Sequence, residues 1–262
     1  MKIKFHKYQG TGNDFVIIDN RDGKFEADKE IIKNLCVRRF GIGADGLMLL
    51  ENARGVDFKM VYYNSDGKES TMCGNGGRCI AAYALDREIA PFKGTFLAID
   101  GEHEYEVGAH GVKLKMIDVD VWEENNGHFI LNTGSPHYVE FAEKVMTMPL
   151  IEEARKIRYN ERFSEQGINV NFVEDLQDSL ILRTYERGVE DETLSCGTGT
   201  VATAIAYAIR NALTIGPLKI FTKGGELKVL FEKDNLRFKN IWLQGPAISV
   251  YEGIVNLEAL PK

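Results

Sequence analysis

TMCGNGGRCIAAYALDREIA, residues 71–90, and LSCGTGTVATAIAYAIRNAL, residues 194–213, follow one plan: a Cys-Gly-x-Gly turn, then a run of small and apolar residues. From Val201 to Ile209 the second run is small or apolar on nearly every side, which marks a helix buried all round rather than one lying on a surface. Working outward, more of the chain matches itself. Thr11-Gly12-Asn13 before FVIID aligns with Thr133-Gly134-Ser135 before HYVEF, Gly12 and Gly134 being 122 positions apart. The helical pattern DKEIIKNLCVRR from Asp28 falls over LIEEARKIRYN from Leu150, and Tyr63-Asn64 ends DFKMVYY where Tyr185-Glu186 ends LILRTYE, again 122 apart. Cys73 and Cys196 are 123 apart. Four markers in one order at nearly one offset indicate a duplicated domain.

Between these markers KIKFHKY, DFKMVYY, VKLKMIDVDV, SLILRTY, ELKVLFE and LRFKNIWL alternate as strands do. They follow one another too closely for helical crossovers, which favours antiparallel pairing. The expected fold is α+β: two similar pseudo-symmetric domains, each a mainly antiparallel barrel-like sheet around one central helix. The first is placed at 1–118 and the second at 119–249, with a boundary near 117–124 where VKLKMIDVDV gives way to the polar EENNG. Two repeats of 122 leave about 18 residues over, so the tail from about 250 to 262 is expected to add a strand to the first domain.

Composition narrows the function. The chain has 262 residues, 44% hydrophobic and 27% charged, with 26 Gly and 6 Pro, enough to bury a core without disulfides or metals. With 32 basic against 39 acidic residues, net charge −7 gives no electrostatic footprint for nucleic acid or an anionic membrane. MKIKFHKYQG has no apolar leader-like run, and no stretch approaches the roughly 18 apolar residues of a membrane span, so a cytoplasmic protein is expected. Four cysteines are too few for a disulfide scaffold. Neither CxxC nor HExxH occurs and the five histidines are scattered, so no metal site is expected. GIGADG at 41–46 matches a dinucleotide-binding pattern by letter, but follows a helix and precedes a strand, the reverse of the required context.

The cysteine turns carry the chemistry. At a helix N-terminus, unpaired N–H groups and the macrodipole favour an anion and can bring a thiol from about 8.5 into roughly 3.5–7.5. The same N–H groups can hold a carboxylate. Equivalent turns facing one another across an interdomain cleft would suit inversion of a carbon, which needs a base on one face and an acid on the other. Cys73 and Cys196 form the expected pair, with backbone N–H groups around Gly74-Asn75 and Gly197-Thr198 stabilising the carbanion-like transition state without metal or pyridoxal phosphate. Cys36, on a helical face with Ile32, and Cys79, inside the apolar helix, read as core residues. Glu186-Arg187 and Asn64 precede the cysteines at equivalent spacing, placing them at the rim of the same site. Arg187 can hold a carboxylate bidentately and Glu186 can accept from an ammonium group. Asn13 and Ser135 read as turn residues that can also touch a ligand, and His137 as an imidazole able to tune a thiol.

GTGNDF at 10–15, YNSDGKESTMCGNGGRC at 63–79, SPHYV at 135–139, INVNFV at 168–173, and YERG followed by ETLSCGTGT at 192–200 resemble the diaminopimelate epimerase family along essentially the whole chain. The resemblance implies an isomerase that interconverts LL- and meso-diaminopimelate without pyridoxal phosphate, in lysine and peptidoglycan precursor synthesis, and that is usually a homodimer. By motif it makes Cys73 and Cys196 the acid/base pair and Asn13, Asn64, Gly74, Asn75, Asn169, Glu186, Arg187, Gly197 and Thr198 substrate contacts, with His137 and Glu186 tuning the thiols. Three departures bear on binding: Ser135 stands where Asn is common, Gly46 where some members carry a side-chain amide, and the loop at 189–192 is one residue longer than usual. A proline or hydroxyproline racemase of the same fold is the nearest alternative, but it typically has His where Asn75 stands. A non-catalytic binding protein or a thiol redox protein is the alternative from another class.

Overall fold

A computed structural model of the chain describes residues 1–260. Its contacts divide it into two compact units, Met1–Leu114 with the segment from Pro246 onward, and Lys115–Gly245.

The first unit contains β1 (Lys2–Gly10), β2 (Asn13–Asp19), α1 (Lys29–Cys36), β3 (Gly46–Glu51), β4 (Phe58–Asn64), β5 (Glu69–Ser70), α2 (Gly74–Asp86), β6 (Lys93–Ala98), β7 (Gly101–Gly108) and β8 (Gly111–Lys115). The second contains β9 (Trp122–Asn125), β10 (His128–Asn132), β11 (Pro136–Phe141), α3 (Leu150–Arg158), β12 (Asn169–Asp175), β13 (Leu180–Glu186), β14 (Asp191–Thr193), α4 (Gly197–Arg210), β15 (Leu218–Thr222), β16 (Gly225–Asp234) and β17 (Arg237–Gly245). The last strand, β18 (Ile248–Asn256), pairs antiparallel with β1.

Each unit repeats the same topology. In the first, neighbouring strands run β18-β1-β2-β3-β4-β6-β7-β8, with β2–β3 and β4–β6 parallel and the other pairs antiparallel. In the second they run β9-β10-β11-β12-β13-β15-β16-β17, with β11–β12 and β13–β15 parallel and the others antiparallel. The expected α+β duplication, mainly antiparallel sheet around a helix, is what the structure contains. β18 occupies in the first unit the place that β9 holds in the second.

The central helices follow from composition. α2 is buried from Asn75 to Ala84, and in α4 every residue from Gly199 to Ala206 is buried. α2 lies against β1, β2, β3, β7 and β18, and α4 against β10–β13 and β15–β17. α1 instead buries one face, Ile32, Leu35 and Cys36, and is capped by Asp28, whose carboxylate accepts from Glu30 and Ile31 N–H. Among the described residues no helix is long and apolar enough to cross a membrane.

Two local readings differ. VKLKMIDVDV is a strand only to Lys115; beyond it Met116 and Val119 are buried and touch β17 through Ile241 and Phe238, without a continuous ladder. Alternation there records which side chains are buried, not whether the backbone pairs. EENNG, next to the boundary expected near 117–124, holds the turn of the β9–β10 hairpin within the second unit, with Asn126 and Gly127 both at positive φ (48° and 82°). Asn-Gly is the dipeptide that such a two-residue turn favours.

Gly46, opposite Asn64 in the β3–β4 ladder, has no room for a side chain: a Cβ would lie 2.5 Å from the Tyr62 ring and 2.6 Å from the Tyr63 carbonyl oxygen. Because the carbonyl belongs to the paired strand, Gly46→Ala is expected to destabilise by about 1–3 kcal/mol, read as a lower urea midpoint at unchanged slope.

Candidate active site

Both cysteine turns open a central helix. Cys73 is the N-cap of α2 and Cys196 of α4, each in extended backbone, and neither side chain caps its helix. Cys196 is buried and Cys73 half-buried. Cys36 and Cys79 differ in kind: burial pushes both thiols up to about 12, so they stay protonated.

In the first unit, Asn13, Cys73 and Asn75 come together. Cys73 Sγ donates to Asn13 Oδ1 at 3.6 Å, and Asn75 Nδ2 reaches the same oxygen at 3.4 Å. The Asn13 amide is oriented from behind, its Nδ2 donating to Asp45 Oδ2 at 2.6 Å. Asp45 in turn pairs with Arg38, which holds Asp14 through two hydrogen bonds of 3.0 and 2.6 Å, and buried Lys7 pairs with Asp14 at 2.7 Å. Burial alone would raise the Asp14 carboxyl, but hydrogen bonds and charge from Arg38 and Lys7 outweigh it and hold it at about 2. Asn64 ends β4 exposed.

Sequence reading missed Arg78, which is fully buried one turn into α2. Its guanidinium donates to Asn75 Oδ1 (2.9 Å), Thr11 Oγ1 (3.2 Å), Gly74 O (3.2 Å) and Pro246 O (3.5 Å), all neutral acceptors. Burial works against its charge, and either Cys79 or Cys73 would favour it only as a thiolate. An arginine inside an otherwise apolar helical run was the available signal.

In the second unit, His137, Cys196 and Thr198 come together. Thr198 Oγ1 lies 3.5 Å from Cys196 Sγ and 2.9 Å from His137 Nε2. His137 is completely buried, and burial, with the nearby Arg187 charge, pushes it down to about 3. It is neutral at pH 7. Behind it stands Asn171, Nδ2 at 3.0 Å from His137 Nδ1, a residue that the sequence reading did not single out. A second group gathers Ser135, Asn169 and Arg187: Asn169 Nδ2 donates to Ser135 Oγ (3.0 Å) and Pro136 O (3.2 Å), and Asn169 Oδ1 accepts from the Arg187 backbone N–H (2.8 Å). Ser135 thus engages Asn169 and keeps its hydroxyl proton for another acceptor. Arg187 is exposed, with its guanidinium on Gln166 O at 3.1 Å, and burial raises the Glu186 carboxyl.

The depressed His137 pKa fixes a sign. Unfolded chains take up a proton near pH 6.5 that the folded state refuses until about 3, so stability falls by about 1.4 kcal/mol per pH unit below 6.5. His137→Gln is expected to flatten the decline between pH 6.5 and 4, measured as urea midpoint against pH.

Comparison with known proteins bears on the family and the fold. The family model described as diaminopimelate epimerase matches residues 5–120 and 129–250. Diaminopimelate epimerase of Flavobacterium psychrophilum is 49% identical over 253 residues, covering 95% of this chain and 99% of that protein. That of Chlorobaculum tepidum is 41% identical over 258 residues, with 95% and 99% covered. Among solved structures, a PhzF-family phenazine biosynthesis protein of Bacillus anthracis superposes with TM-score 0.76 at 15% identity over 98% of this chain and 99% of its own. A hydroxyproline epimerase of Agrobacterium vitis gives 0.67 at 11%, with 97% and 92% covered. These two show the fold alone. The family model spans both halves of the duplication and the relatives align from end to end, so the chain belongs to the diaminopimelate epimerase family.

Proposed function

We propose that the protein interconverts LL- and meso-2,6-diaminopimelate by two-base proton transfer at an α-carbon, without pyridoxal phosphate, in lysine and peptidoglycan precursor synthesis. The observation that carries this reading is the pair of equivalent helix N-caps, Cys73 and Cys196, in a chain of this family.

One thiolate takes the α-proton, leaving the electron pair on the carbon and its carboxylate. The other cysteine's S–H then delivers a proton to the opposite face, and the two thiols finish with exchanged protonation. N–H groups at the first turns of α2 and α4, at Gly74-Asn75 and Gly197-Thr198, favour the substrate carboxylate as its negative charge grows. Asn13, Asn64 and Asn169 supply amide contacts, Arg187 a guanidinium for a carboxylate, and Glu186 an acceptor for an ammonium group. Glu186 and Arg187 suit a substrate with a second amino-acid head better than they suit proline.

Reduced protein incubated with LL-diaminopimelate in heavy water, with L-proline as a parallel control, tests the reading. Meso product carrying deuterium at one stereocentre is expected, with no exchange into proline. Exchange into proline alone would make the chain a proline racemase, and inertness toward both would return a binding or redox role. Cys73→Ala and Cys196→Ala are each expected to lower inversion by about 10²- to 10⁴-fold with circular dichroism unchanged. Near-normal turnover of either variant overturns the two-base mechanism.

A further inference from the structure

The two units differ where their sheets back the cysteine turns. In the first, Phe15, Met48 and Tyr62 form a row across β2, β3 and β4, all buried, Phe15 meeting Tyr62 edge-on. By register the same places in the second unit are His137, Asn171 and Thr184 on β11, β12 and β13, all buried as well. The fold therefore closes with an apolar row at this position, and polar groups there are stable only because each is hydrogen-bonded.

Those bonds have a direction. Asn171 Nδ2 lies 2.9 Å from the Tyr138 carbonyl oxygen, which can only accept, and Asn171 Oδ1 accepts from Thr184 Oγ1 at 2.9 Å. The amide cannot be reversed without setting two carbonyl oxygens together. Its NH₂ therefore faces His137 Nδ1, 3.0 Å away, and makes that nitrogen the acceptor. The ring proton of neutral His137 must sit on Nε2, where it donates to Thr198 Oγ1 at 2.9 Å. The Thr198 hydroxyl proton is then directed to Cys196 Sγ, 3.5 Å away. Gly199 belongs to the same device, since a Cβ there would lie 2.6 Å from Asn171 Oδ1. The charged group acting on His137 is Arg187, at the end of β13, which adds to burial in keeping the ring neutral.

We propose that Asn171 is a positioning residue: by fixing the His137 tautomer it turns the Thr198 hydroxyl into a donor to Cys196 and so favours the Cys196 thiolate. The inference rests on Cys196 being one of the two acid/base thiols, but its readouts do not require turnover.

The test is made on the full chain. With ¹⁵N-labelled histidine, two-bond proton–nitrogen correlation at pH 7 should find the His137 proton on Nε2. In Asn171→Asp the carboxylate would accept from the ring, so the proton should move to Nδ1. The Thr198 hydroxyl is then turned toward the imidazole. Alkylation by iodoacetamide, followed at each cysteine by peptide mass spectrometry across pH, should then show the Cys196 profile displaced upward by about one unit, roughly tenfold slower at neutral pH, with Cys73 unchanged. Thr198→Val should displace Cys196 in the same sense, and Thr198→Ser should restore it. If Asn171→Asp loses its folded circular dichroism, the wild-type tautomer and the Thr198 pair decide. A proton on Nδ1 in the wild type, or an unchanged Cys196 profile in Thr198→Val, overturns the proposal. Failure to epimerise diaminopimelate, with these readouts as expected, would overturn the functional reading and leave the tautomer assignment standing.

Discussion

A helix with no solvent-facing side has to be enclosed by its own sheet, and its first turn then becomes the place where unpaired N–H groups collect. Both units meet this constraint in the same way. Each wraps eight strands of identical pairing order around its helix and enters that helix through a cysteine that does not cap it. A Ser or Asp at the same point would satisfy those N–H groups internally. Cysteine, a weak acceptor, does not cap them and places an ionisable sulfur beside them.

Duplication gives two such turns, and chemistry at a stereocentre needs them to be inequivalent at any instant. The hydrogen bonds around the sulfurs supply this. Asn13 is held by Asp45 so that its amide oxygen faces Cys73. Thr198 places a hydroxyl beside Cys196, with His137 and Asn171 behind it. The two cysteines thus have different neighbours on one scaffold. Arg78 is buried one turn into the same helix, its guanidinium donating to Asn75 beside Cys73. A reversible two-base reaction requires each cysteine to serve in both states.

Much of this was legible in the sequence because it is periodic or punctuated. The 122-residue offset, the apolar helices and the Cys-Gly-x-Gly turns are local signals, and they led to the duplicated α+β fold and to the cysteines as helix N-caps. The Asn126-Gly127 hairpin was equally local, but the polar run around it reads only as marking the domain boundary when its turn chemistry is not used. What supports the cysteines was not legible. Asn171 lies in INVNFV, where alternation identifies a strand but not which face meets a helix, and its partners come from Tyr138, Thr184 and His137 on two other strands. Arg78 reads as the polar edge of a helix until the helix is found to have none.

The glycines of the two turns record the same distinction. Gly76 and Gly199 are equivalent, yet a Cβ at Gly76 would meet the Met48 sulfur at 3.2 Å, an end of a flexible side chain, whereas at Gly199 it would meet Asn171 Oδ1 at 2.6 Å. Asn171 cannot retreat, because its other atoms are committed to Tyr138 and Thr184. The second glycine of the motif is therefore closely packed by side chains in the first unit and obligatory in the second. One sequence pattern serves two structural ends: a helix start beside an apolar row, and a helix start that leaves room for a buried amide to hold an imidazole in one tautomer.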